Sequence, residues 1–155
     1  MPFAGLRHLV ATPDARRLAG RRDEMTGAAL AAVDLERVAA LPADQLNSAD
    51  QRLLQISRAV ATGATAMLLD EPAAGMTAAE RGRLGAAIRG LASSGFGVLV
   101  VEHDMRLVAD VADRVTVLDA GRVIASGSFG TIQRDPAVRA AYLGEAADFQ
   151  EPADR

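Results

Sequence analysis

The chain has no lysine. All 17 of its basic residues are arginine. A phosphate-binding loop of the form G-x-x-x-x-G-K-[ST] therefore has no counterpart within these 155 residues. Cysteine is also absent, which excludes a disulfide framework and a thiolate metal site. There is no tryptophan, and aromatics make up only 3% of the chain, so a core must be built from Ala, Leu, Val and Ile. No apolar run approaches the roughly 18–20 residues needed to span a bilayer. Residues 1–8 lack the apolar centre of a secretory signal. The net charge of −3 gives no bulk attraction for nucleic acid. A length of 155 residues fits one domain with a sizeable core, and half of the residues are hydrophobic. The abundance of Ala and Arg is consistent with GC-rich codon usage and carries no mechanistic information.

Against these absences stands one informative stretch, Met67-Leu68-Leu69-Asp70-Glu71-Pro72. An apolar run ending in two adjacent carboxylates has the form of a buried strand that delivers charge at its tip. One acid can hold Mg²⁺ and the next can polarise a water. A second apolar run, Val98 to Val101, ends in Glu102-His103-Asp104. Alone, Asp-Glu-Pro better suits a solvated strand end that caps the next turn. The second strand with a polar tip turns the reading towards nucleotide hydrolysis, with His103 as a hydrogen-bond donor to a terminal phosphate. A lone histidine after a strand is otherwise an ordinary turn residue.

The remaining pattern alternates helix and strand. Residues 14–40 read as helix, broken near Thr26-Gly27, with Pro42 closing the region. Apolar residues 53, 56 and 60 place a helix over 49–61, stopped by Gly63. Ser48 with Gln51 three residues on reads as its capping box, although a helix start can also receive phosphate. A strand follows over 65–70. Thr77 and Glu80 form a second capping box for a helix to about Ser93, closed by Gly95. A strand over 97–102, a short helix from Asp104 to Val111 and a strand over 114–119 come next. Ala120-Gly121 turns that strand into a hairpin with 122–126. Short helices near 128–134 and 136–143 precede a polar tail. The alternation predicts an α/β fold with a mostly parallel sheet, flanking helices and a C-terminal β-hairpin.

Taken together, these residues resemble the ATP-binding cassette (ABC) ATPases, a branch of the P-loop NTPase fold. Asp70-Glu71-Pro72 is similar to the Walker B aspartate and catalytic glutamate. Ala74-Gly75-Met76-Thr77 is similar to the D-loop, and His103 to the switch histidine. Leu46 to Gln51 stands in the place of the signature motif, ahead of a helix with Gln51, Arg52, Ile56, Arg58 and Ala59 at the usual spacing. The stretches 70–76, 102–108 and 135–144 narrow the resemblance to the ATPase subunit of branched-chain amino acid importers. The resemblance extends over about 44–144 and is weaker over 7–43, where Arg7 to Arg17 is similar to a piece of the helical subdomain.

The resemblance implies a division into 1–45 as a remnant of the helical subdomain, 46–144 as the C-terminal part of the nucleotide-binding domain, and 145–155 as a polar tail. It implies ATP and Mg²⁺ as cofactors of a complete cassette. Asp70 would hold the metal, and Glu71 and His103 would be catalytic. Asn47, Ser48, Ala49, Asp50, Gln51 and Gly75 would face nucleotide. It further implies a second ABC ATPase subunit and transmembrane permease subunits as partners, with no nucleic acid and no direct membrane insertion. The location would be cytoplasmic, peripheral at the inner face of the cell membrane through the permeases.

This sequence departs from the family in two ways. The first lobe, with its P-loop, adenine-stacking aromatic and Q-loop, is not among these residues, so the chain reads as starting inside the helical subdomain. Asn47, Ser48 and Ala49 also replace the usual signature residues, and Ala49 adds a Cβ where the family has Gly. The expectations are a chain inactive alone and a sheet missing the strand that would lie between those at 97–102 and 114–119. Its absence leaves a gap or forces those strands together; an open gap exposes two apolar edges and gives a marginally stable fold, or one that needs a partner. The alternative is a non-enzymatic partner docking on an intact cassette. An ABC-type DNA-repair or translation factor is disfavoured by the charge and the importer-like C-terminal stretch. The transported solute is not encoded here, because the ATPase does not touch it.

Overall fold

A computed structural model describes residues 13–143. The tail expected at 145–155 and residues 1–12 of the helical-subdomain remnant lie outside the described residues. The chain divides into two units, with the boundary between Val101 and Glu102.

Among the described residues, the first unit is built on three α-helices and a short parallel sheet. Helix α1 spans Pro13–Ala31. It passes through Thr26-Gly27 without a break, contrary to the sequence expectation. A single interior glycine costs only about 1 kcal/mol relative to alanine, and α1 is long enough to absorb that. The chain leaves the helix further on, where Asp34 takes a left-handed φ of 56°. A 3-10 turn then covers Glu36–Val38.

Helix α2 spans Ser48–Ala61. Its cap is Asn47, not Ser48. The Asn47 side chain accepts from the Asp50 amide at 2.8 Å, and the Gln51 amide group donates back to the Leu46 carbonyl at 2.9 Å. The capping box read at Ser48 and Gln51 is thus displaced by one residue, because Asn caps as well as Ser and its oxygen reaches the third amide. The helix ends at Ala61, and Gly63 follows with φ +77°. Ala49, Leu53 and Ile56 form its buried stripe.

Strand β1, Ala66–Asp70, leads to helix α3, Ala78–Ser93. The Thr77–Glu80 capping box is present as expected. The Glu80 carboxylate accepts from the Thr77 amide at 2.8 Å, and the Thr77 hydroxyl accepts from the Glu80 amide at 3.3 Å. Leu84, Ala87, Ile88 and Leu91 supply the buried face of α3 at helical spacing. Strand β2, Gly97–Val101, pairs parallel with β1, with Leu68 opposite Leu99 and Asp70 opposite Val101.

Both strands were expected to be buried; instead they alternate. Met67, Leu69, Val98 and Val100 are half-buried, whereas Leu68, Leu99 and Val101 are 63%, 64% and 51% exposed. Parallel sheets are ordinarily covered on both faces. Here one face is left largely open.

The second unit begins with helix α4, Met105–Val111, capped by Asp104 as expected. Strands β3, Val115–Asp119, and β4, Arg122–Gly127, form an antiparallel hairpin. Its turn places Ala120 at φ 46° and Gly121 at φ 77°, a left-handed pair suited to the twist of a tight hairpin. Helices α5, Phe129–Ile132, and α6, Pro136–Val138, run into a π-helical turn over Arg139–Leu143. The Tyr142 hydroxyl donates to the Leu118 carbonyl and ties that turn to the hairpin. Leu107, Ile132 and Val138 are the buried apolar residues among those described in this unit.

The fold is therefore α/β with a short parallel sheet and a C-terminal hairpin. Among the described residues, β3 pairs with β4, and β2 has β1 as its one strand neighbour. Among the described residues, no helix is long and apolar enough to cross a membrane.

Candidate functional site

The carboxylate pair sits where the sheet ends and the chain turns. Asp70 is the last residue of β1 and is exposed. Glu71 donates its amide to the Val101 carbonyl at 2.9 Å, which extends the ladder by one step. Its φ of 41° then takes the chain out of the strand direction. A non-glycine residue in this region costs of order 1–3 kcal/mol, and such strain collects at functional sites. The turn is held from below. Pro72 and Ala73 are buried, the Ala74 amide donates to the Glu71 carbonyl, and the Met76 amide donates to the Ala73 carbonyl. Gly75 follows with φ 73°, a conformation that glycine takes without penalty. Asp70, Glu71 and Gly75 thus lie on one short, fixed segment between β1 and α3.

Between α2 and β1 lies a half-open hollow of about 230 Å³, walled in part by Arg52, Gln55, Met67 and Asp70. Arg52 had entered only as a motif position; the structure places it on the same hollow as Asp70.

At the start of α2, Ala49 and Asp50 are buried while Asn47, Ser48 and Gln51 are exposed. The Asp50 carboxylate turns inward. Its Oδ1 accepts from Arg37 at 2.6 Å and from Arg83 at 2.8 Å, and its Oδ2 accepts from the Asn47 amide group at 3.1 Å. Burial pushes the Asp50 carboxyl up, but the hydrogen bonds and charges of Arg83 and Arg37 hold it below its ordinary range. Arg37 and Arg83 were missed by sequence reasoning. They lie 13 and 33 residues from Asp50, and no local pattern announces such a pairing.

In the second unit, His103 is largely exposed at its side chain, and Glu102 is almost fully buried. The Glu102 carboxylate accepts from the amides of His103 and Asp104 at 3.0 and 3.2 Å. It fixes the backbone that carries His103. The sequence had placed Glu102 only in a motif; its side chain is the brace of that turn.

Relatives decide the family. A model described as branched-chain amino acid ATP-binding cassette transporter matches residues 122–148. The high-affinity branched-chain amino acid transport ATP-binding protein LivG of Escherichia coli (strain K12) is 36% identical over 145 residues, covering 93% of this chain and 56% of LivG. Its counterpart BraF of Pseudomonas aeruginosa is 40% identical over 141 residues, covering 89% of this chain and 54% of BraF. The chain is similar to the ABC transporter ATP-binding proteins of the branched-chain amino acid type.

It spans little more than half the length of these relatives. The ADP conformation of MJ1267, an ATP-binding cassette of an ABC transporter, superimposes with a TM-score of 0.73 at 26% identity, covering 81% of this chain and 51% of MJ1267. The cassette fold expected from the motifs is therefore present over the part that superimposes.

The donor set tests the cofactors. Mg²⁺ takes one or two carboxylates and completes its shell with water and substrate phosphates, and the exposed Asp70 carboxylate suits that share. Among the described residues, no cluster of three His, Asp or Glu side chains forms a metal cage by itself. With no lysine and no G-x-x-x-x-G-K-[ST] loop in the 155 residues, the chain offers an exposed strand-end acid but no such loop to cradle a triphosphate. These residues alone do not fit a held nucleotide.

Proposed function

We propose that the chain is the C-terminal portion of an ATP-binding subunit that powers import of branched-chain amino acids, or related solutes, and is inactive by itself. The turn at 70–75 carries this reading: a strand-end carboxylate followed by a second one on a strained, well-supported backbone. In a completed cassette, bound Mg²⁺ would neutralise phosphate charge. Asp70 contributes a hard oxygen donor for that ion. Glu71 accepts a proton from water, and His103 offers a hydrogen bond to a terminal phosphate. Asn47 to Gln51 and Gly75 belong to the surface facing nucleotide held by a second ATPase subunit. Docking on transmembrane permease subunits would hold the assembly at the cytoplasmic face of the cell membrane.

One observation favours a second reading, a non-enzymatic partner of an intact cassette. Ala49 stands where the family resemblance expects glycine, and it is buried, so the altered segment cannot simply expose bare backbone there.

Calorimetric titration of Mg–ATP into the 155-residue chain tests the first reading, with no micromolar binding expected. The same chain joined behind a P-loop segment from a BraF-type relative is expected to bind and hydrolyse ATP. Glu71→Gln should then lower turnover by roughly 10²–10⁴-fold with binding retained. Micromolar binding by the chain alone overturns the inactivity, and turnover indifferent to Glu71→Gln overturns its role. If the joined protein stays inactive while the unjoined chain changes the rate of an intact subunit, the partner reading stands instead.

A further inference from the structure

An acid in the first turn of α2 is at odds with a surface meant to face phosphate. A carboxylate there would repel the anion and partly cancel the positive end of the helix dipole. The structure resolves the conflict by geometry. Asp50 is 2% exposed. Both guanidinium groups reach the same oxygen, Oδ1, one from the 3-10 turn and one from α3. The other oxygen is taken by the cap residue, whose own side-chain oxygen accepts the Asp50 amide. Asn47 and Asp50 therefore brace one another reciprocally, and the pair is bolted to two other elements. Two guanidiniums meet this one carboxylate, so its negative charge is matched within the cluster rather than presented to the surface.

We propose that Asp50 is a positioning residue: with Arg37 and Arg83 it fixes the segment 46–50 at the start of α2 and withdraws its own charge from the surface that segment presents. This deepens the nucleotide-facing assignment of Asn47 to Gln51 and rests on that reading. It reassigns Asp50 from a nucleotide contact to the anchor of that surface. Other charges bear on the cluster too: Glu80, on the first turn of α3, is the like-charged neighbour of Asp50 and is itself drawn to Arg83.

The test uses the full chain without nucleotide, so its outcome is independent of whether the ATPase reading survives. Amide resonances of Asn47, Ser48 and Ala49 are followed by ¹⁵N NMR as pH is lowered, in wild type and in the Asp50→Asn and Arg83→Gln variants. In wild type these amides should titrate together, below the ordinary carboxylate range. Asp50→Asn should abolish that shared titration. Arg83→Gln, which leaves Arg37 in place, should move it upward, and it serves as the deciding variant if Asp50→Asn does not fold. A residue that merely stabilised the core would alter unfolding midpoints without coupling its proton to these amides. Amides that ignore the Asp50 proton in wild type, or a titration unmoved by Arg83→Gln, would overturn the proposal. Loss of nucleotide binding in a completed cassette, with this coupling intact, would count against the nucleotide reading alone.

Discussion

The open face of the β1–β2 sheet makes a quantitative demand. Leu68 and Leu99 are register partners, 63% and 64% exposed. Full burial of a leucine side chain is worth about 1.5–3 kcal/mol. With roughly a third of each side chain covered, replacing both should remove only about 1–2 kcal/mol, and threonine restores part of this through its preference for strands. The double variant Leu68→Thr/Leu99→Thr should therefore unfold in urea within about 2 kcal/mol of wild type. Leu84→Ala, at a side chain with 0% exposure, should lose about 2–5 kcal/mol. Self-association, which covers the exposed two-thirds, should respond in the opposite order. By sedimentation velocity, the double threonine variant should remain monomeric at concentrations about tenfold higher than wild type, and Leu84→Ala should not. A loss above about 3 kcal/mol in the double variant would show the two leucines to be core residues. Unchanged association would show that the exposed face is not what makes the chain adhesive. Either result refutes the reasoning.

Two further outcomes are expected. The folded Asp50 carboxyl titrates below its ordinary value of 3.8, so its contribution is complete above that value and is lost as pH falls through the lower, folded value; the urea midpoint should drop in that acid window, and Asp50→Asn should flatten the drop. Gly121→Ala forces a Cβ into a left-handed φ of 77° and should destabilise the hairpin unit by roughly 1–2 kcal/mol, read from the exchange protection of β3 and β4 amides.

Local signals were the most legible. The Thr77–Glu80 box, the Asp104 cap, the tight turn at Ala120-Gly121 and the bounds of α3 follow from contacts within a few residues, and the sequence displays those directly. The misreadings also have local causes. Asn47 and Ser48 are both competent caps, and choosing between them takes the backbone conformation, which is extended at Asn47. Gly27 looked like a breaker because propensity is weighed residue by residue, whereas a helix is cooperative over its length. The exposure of β1 and β2 was hidden because an uninterrupted apolar run looks the same whether one face is covered or two.

Residue chemistry and order along the chain determined the family, the carboxylate pair at the end of β1, and the absence of a lysine-bearing phosphate loop from these residues. Each of these depends on residue identity or short-range spacing. The tertiary structure alone decided that Asp50 points inward to Arg37 and Arg83, that Arg52 shares a hollow with Asp70, that Glu102 braces the backbone of His103, and that one face of the sheet lies open. Those facts depend on which distant segments meet, and a side chain separated from its partner by 13 or 33 residues has no neighbour in the sequence to reveal it.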